Sequence, residues 1–172
     1  MLFRSSAQDT LEAKLRIGRF GYDLVVASDY KVRRFCKANI VQPLDSARIP
    51  NISNLFDWLR DASYDPGNRY SIPWQWGTTG IGYNKKYITD SVTGWSALWD
   101  PRFKGRIDML NERRDCIAVA LLRLGFSVNT LNPRELAQAR DLLIDQRPLL
   151  KHYTSDTYID EMAADEIGRA HV

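Results

Sequence analysis

Glu112 and Asp115 lie three residues apart, in the expected first turn of a helix that Asn111 can cap. That spacing puts both carboxylates on one helix face, and the helix N-terminus favours their ionised form. Two fixed anions about one helical turn apart suit a ligand that carries amines along a flexible chain. Acids are also enriched in first turns for dipole reasons alone, and Arg113 and Arg114 beside them can neutralise them. The pair is open to both a binding role and a structural one.

Three further groups sit where open α/β sheets place their ligands, at strand ends and helix starts. In Ser28–Asp29–Tyr30 the hydroxyls can meet a ligand, or Ser28 or Asp29 can simply cap the next helix. Ser155, in Tyr153–Thr154–Ser155–Asp156, has the same two readings. Trp74 and Trp76, two apart on an expected strand, share a face. An aromatic face attracts a cation by roughly 0.5–2 kcal/mol, although burial in the core is the plainer reading of these tryptophans.

No catalytic residue is assigned. Both histidines, His152 and His171, fall in the last stretch, which gives a histidine-based triad no support upstream. There is no glycine-rich phosphate loop and no metal-spaced cluster, so no cofactor or metal is expected. Two carboxylates on one helix are poorly placed for glycoside hydrolysis, which needs groups flanking a bond.

The elements that must position these groups alternate between helix-like and strand-like segments, the pattern of an α/β sheet. Asp9 or Thr10 can cap a first helix whose Leu11 and Leu15 share a face and which Gly18 ends. Tyr22–Ala27 reads as a buried parallel strand, followed by a helix from about Tyr30 to Lys37 and another from Leu55 to Arg60. Asp65–Pro66–Gly67–Asn68 is a turn signal, and strands are expected over Tyr70–Trp76 and Thr79–Asn84. Thr93 can cap a helical turn through Trp95 and Leu98. Arg106–Leu110 reads as a strand. Ile117, Ala120, Leu121 and Leu124 then recur on one helix face that Gly125 closes. Asn132–Pro133 opens the next helix, Leu149–Tyr153 is a strand, and Thr154–Thr157 caps a last helix. Such a sheet would begin on a helix with no preceding strand and stop soon after a helix begins, so truncation at both ends is expected.

Bulk properties name no partner. The 172 residues are 44% hydrophobic and 26% charged, with net charge +3, an ordinary globular profile too mildly basic to indicate nucleic acid. No apolar run reaches membrane-spanning length. Cys36 and Cys116 stand far apart outside any metal spacing. Small buried thiols account for them, and a disulfide stays open.

In order along the chain, Tyr22–Tyr30, Asp65–Asn84, Ser91–Pro101, Phe103–Lys104–Gly105 and Leu121–Asn129 resemble the periplasmic spermidine/putrescine-binding proteins of ABC transporters. The resemblance runs from about Phe3 to Glu166. It implies a two-lobed (type II) periplasmic solute-binding fold, incomplete here, with residues 1–77 a partial first lobe and 78–166 a partial second lobe. It implies polyamine contacts from Ser28 and Tyr30 in one lobe, and from Glu112, Asp115 and Ser155 in the other. It also implies a permease partner, periplasmic localisation and a signal peptide upstream. Other small organic amines, or no binding by so short a piece, remain the alternatives. The family's opening strand with its ligand-contacting aromatic pair, and its C-terminal half, have no counterpart here. Residues 167–172 resemble a translated sequencing-library adapter, and a non-native tail is expected there.

Overall fold

The computed structural model describes residues 2–4, 8–18, 21–164 and 169–171. The chain divides into two compact units, Met1–Gly77 and Thr78–Val172.

In the first unit, β1 (Leu2–Arg4) pairs parallel with β2 (Leu24–Val26), in register Leu2 to Leu24. A strand therefore precedes the first helix, contrary to expectation. Helix α1 (Gln8–Ile17) begins ahead of Asp9 and Thr10, which lie inside it rather than at its cap. Gly18, at φ +69°, ends it, and its N–H donates to the Leu15 carbonyl. Only glycine takes that left-handed conformation without cost. β2 is parallel as expected but only half-buried, with Leu24 at the surface.

Helix α2 (Asp29–Lys37) packs on α1 through a buried charge cluster. Lys31 is fully buried and donates to Glu12 Oε2 at 2.7 Å, while Arg34 and Arg16 reach Glu12 Oε1 at 2.8 and 3.0 Å. Beyond α2 the unit is built of short 3-10 turns. Only the turn Asp57–Leu59 forms within the helix expected over Leu55–Arg60, and a separate turn, Pro50–Asn54, precedes it. The expected turn at Asp65–Asn68 forms, with Gly67 at φ +72°. Asp65 is buried and accepts from the Tyr70 N–H, the Ser71 N–H and the Ser71 hydroxyl. That side chain, rather than a strand ladder, holds the chain over Tyr70 and Ser71; no strand forms over Tyr70–Trp76.

The second unit contains a four-stranded sheet in the order β3-β6-β4-β5, with β3 Ile81–Tyr83, β4 Ile107–Leu110, β5 Leu150–Thr154 and β6 Arg169–His171. β4 runs parallel to both its neighbours, and β3 is antiparallel to β6. Of the expected tail, Ile167, Gly168 and Val172 lie outside the described residues. Helix α3 (Arg113–Arg123) follows β4, and α4 (Pro133–Gln146) packs against it. Asn132 caps α4 with its side chain on the Arg134 N–H, and Gly125 closes the turn after α3, both as expected. Leu98, Ile107, Met109, Cys116 and Val119 form the core. Gln146, fully buried at the end of α4, donates to the Leu98 carbonyl at 2.9 Å.

The Glu12 cluster sets a stability prediction. The Lys31 hydrogen bond is the main cause holding the Glu12 carboxyl below its ordinary value of 4.5, against the opposing effect of burial, with Arg16 and Arg34 adding to it. A carboxyl lowered in the folded state stabilises above its unfolded pKa and loses that contribution as pH falls through the folded one. Glu12→Gln should cost about 3 kcal/mol at pH 7 in a denaturant melt, since it strands the buried Lys31 ammonium. The difference from wild type should shrink as the melts are repeated from pH 5 downward.

Candidate functional site

In the second unit the expected site residues gather at the carboxyl ends of β4 and β5. Leu110 pairs with Thr154, and the Asn111 N–H donates to the Thr154 carbonyl at 3.0 Å, so the two strands stop side by side. Glu112 follows one and Ser155 the other. Glu112 itself, not Asn111, is the N-cap of α3. Its carboxylate accepts from the Arg114 N–H at 3.4 Å, and its carbonyl accepts from the Cys116 N–H at 3.0 Å. A 3.4 Å bond is long for a cap, and a carboxylate has further lone pairs to offer a ligand. Asp115 lies in the first turn, half-buried like Glu112. Ser155 is half-buried in the turn before α5 (Tyr158–Ala163). The turn is organised by its neighbour: the Thr154 hydroxyl accepts from the Asp156 and Thr157 N–H groups at 3.3 and 3.1 Å. Thr157, not Ser155, stands at the N-cap of α5, without a side-chain capping hydrogen bond.

Ser28 and Tyr30 stand at the carboxyl end of β2, in the first unit. Ser28 is the N-cap of α2 by its extended backbone, and its carbonyl accepts from the Lys31 and Val32 N–H groups, but its side chain makes no capping hydrogen bond. Asp29 takes the local side-chain bond, accepting from the Tyr30 N–H at 2.7 Å. The Tyr30 ring lies 5.6 Å from the buried Lys31 ammonium.

The tryptophans are not core. Trp74 is 80% and Trp76 64% exposed. Trp76 meets Trp58 edge-on at 5.4 Å, and Trp58 stacks on Phe56 at 6.2 Å, giving an aromatic surface in the first unit. Without a strand ladder over 70–76, the alternation that would place both on one buried face does not apply.

Cys36 and Cys116 are both free thiols. Cys116 donates to the Leu110 carbonyl at 3.0 Å, and burial, with the Asp115 charge, pushes its thiol up to about 12.

A further cluster escaped the sequence reading. Ligating atoms of Asp108, His152 and Glu161 all lie within 4.8 Å of one another, a juxtaposition that spacing along the sequence does not show. The signal for it was one aspartate inside the apolar run Ile107–Asp108–Met109–Leu110. His152 Nε2 stands 3.0 Å from Glu161 Oε1 and 3.6 Å from Asp108 Oδ2, and Lys151 Nζ holds Glu161 Oε2 at 2.7 Å. Burial pushes the Asp108 carboxyl up to about 6, against the pull of His152; the His152 backbone N–H acts weakly the same way as the imidazole, facing the carboxyl outside hydrogen-bonding geometry. Burial also tends to raise Glu161, but Lys151, Thr157 and His152 outweigh it and hold its carboxyl at about 2.

Ligand-type side chains at the carboxyl ends of parallel strands, in two α/β units, describe a solute-binding architecture. The family model for bacterial extracellular solute-binding proteins matches residues 21–170, and the chain belongs to that family. The spermidine/putrescine-binding periplasmic protein of Escherichia coli (strain K12) is 38% identical over 152 residues, covering 87% of this chain and 44% of that protein. The putrescine-binding periplasmic protein SpuD of Pseudomonas aeruginosa (strain UCBPP-PA14) is 34% identical over 170 residues, covering 91% and 46%. The crystal structure of the TpPotD lipoprotein of Treponema pallidum superposes with a TM-score of 0.85 at 35% identity, covering 96% of this chain and 52% of that one. The chain thus spans about half the length of the relatives it matches. Among the described residues no helix is long and apolar enough to cross a membrane.

The Cys116 environment yields a chemical test. Because the thiolate is the reactive form, a pKa near 12 should slow iodoacetamide labelling of Cys116 at pH 8 by at least about 100-fold relative to the urea-unfolded chain. Mass spectrometry of the labelled peptide measures it.

Proposed function

We propose that this protein is a receptor for a linear polyamine such as spermidine or putrescine, acting in the periplasm and delivering its ligand to an ABC-transporter permease. Its two units would be partial lobes of the receptor, residues 1–77 and 78–166. The observation that carries the reading is the acidic pair at the end of β4: Glu112 caps α3 and Asp115 sits in its first turn. Both carboxylates are held at the positive end of a helix, where their ionised forms are favoured. Ser155, at the end of the adjoining β5, adds a hydroxyl to the same edge. Ser28 and Tyr30 supply the contacts of the first unit. The named functions of the relatives support the choice of ligand.

The mechanism needs no covalent step. Ammonium groups of the ligand pair with Glu112 and Asp115, and those charge-assisted hydrogen bonds strengthen as water is excluded. Spacing along the ligand then sets selectivity, because each amine must meet its own acceptor and an unmatched one would be left desolvated.

In a full-length protein carrying this segment, Asp115→Ala should weaken spermidine binding by about 2 kcal/mol, roughly 30-fold, in a calorimetric titration. An unchanged affinity would remove Asp115 from the site. Competition among putrescine, spermidine and an opine tests the ligand class. Displacement by the opine alone would reassign the receptor to another organic amine.

A further inference from the structure

We propose that Asp108, His152 and Glu161 form a binding site for a first-row divalent metal ion of the Zn2+ class, separate from the polyamine contacts. Asp108 and His152 are direct partners in the parallel β4–β5 pairing, and Glu161 reaches them from α5, which follows β5. The site is therefore built by three elements held in fixed register, not by a loop.

The geometry suits a small ion. His152 Nε2 lies 3.0 Å from Glu161 Oε1 and 3.6 Å from Asp108 Oδ2. Ligands about 2.1 Å from a tetrahedral zinc are about 3.4 Å from each other, so small side-chain adjustments bring all three onto one ion. Asp108 is the second, independent sign. It is 1% exposed, and neither of its oxygens meets a hydrogen-bond donor in bonding geometry among the described residues. A buried carboxylate without hydrogen bonds is costly, and a cation at this point would supply the missing partner.

The surroundings complete the case. Lys151 holds Glu161 Oε2 at 2.7 Å and leaves Oε1 turned to His152, the kind of outer contact that orients a metal ligand. His152 is 39% exposed, so an ion has an entry path. One imidazole nitrogen with two carboxylates matches zinc and its neighbours in the first row. Ca2+ takes about six or more oxygens and is disfavoured by so small a set. Three protein ligands leave a fourth position to water.

The test uses the 172-residue chain, freed of metal with a chelator and titrated with Zn2+ alone by calorimetry. Binding of about one equivalent is expected, with Co2+ in its place giving the intense visible absorption of a tetrahedral site. Asp108→Asn, His152→Gln and Glu161→Gln, each checked for folding by circular dichroism, should weaken binding by roughly tenfold or more. His171→Ala and Cys36→Ser should leave it unchanged. Should Asp108→Asn not fold, the two partly exposed ligands decide the matter. The proposal falls if Zn2+ does not bind, if binding survives both His152→Gln and Glu161→Gln, or if it is lost with His171→Ala or Cys36→Ser. Spermidine affinity is read in a separate titration, so failure of either assignment leaves the other standing.

Discussion

The parallel pairing of β4 with β5 governs the second unit. β4 has Ile107, Asp108 and Met109 all buried, with α3 and its Cys116 and Val119 packed against the apolar pair. A strand buried on both faces has little freedom in register, since a slip of one residue would turn every side chain to the opposite face. The register in turn decides what meets at the sheet edge. Leu110 stands opposite Thr154, and the Asn111 N–H closes on the Thr154 carbonyl, so that Glu112 and Ser155 leave the sheet together. The same register sets Asp108 against His152. Both the edge that carries Glu112 and Ser155 and the Asp108 cluster are consequences of one pairing.

The two units handle a buried charge in opposite ways. In the first, Glu12 is surrounded by three cations, each within 3.0 Å, and its carboxyl is held below its ordinary range. Lys31, though deep inside, is satisfied by that carboxylate, and the pair joins α1 to α2 with charge where most helix pairs use apolar side chains. In the second unit Asp108 has no such hydrogen-bonded counter-ion among the described residues, and burial pushes it up to about 6. The contrast separates a charge used as a structural joint from one held ready for a ligand.

Much of the α/β order was legible in the sequence. α2, α3, α4, β4 and β5 lie where capping residues, β-branched runs and helical periodicity put them, because those signals act over a few residues. The departures around Tyr70–Trp76 share a cause. Tyr70–Trp76 has the composition of a strand, yet the buried Asp65 carboxylate binds Tyr70 and Ser71 and no neighbouring strand offers a ladder. Trp74 and Trp76, whose plainer reading was burial on one face of that strand, lie exposed for the same reason. Glu112 displaced Asn111 as the cap of α3, a shift of one residue that local signals do not resolve.

What the sequence determined by itself is the alternation of elements, the turn glycines at 18, 67 and 125, and the acidic pair at a helix start, all set by backbone sterics and local hydrogen bonding. Only the tertiary structure decided which of these meet. Asp108 and His152 are far apart in the chain, and nothing in either segment alone announces the other. They become neighbours because β4 and β5 pair in one register, and burial then pushes the carboxyl of an ordinary aspartate upward.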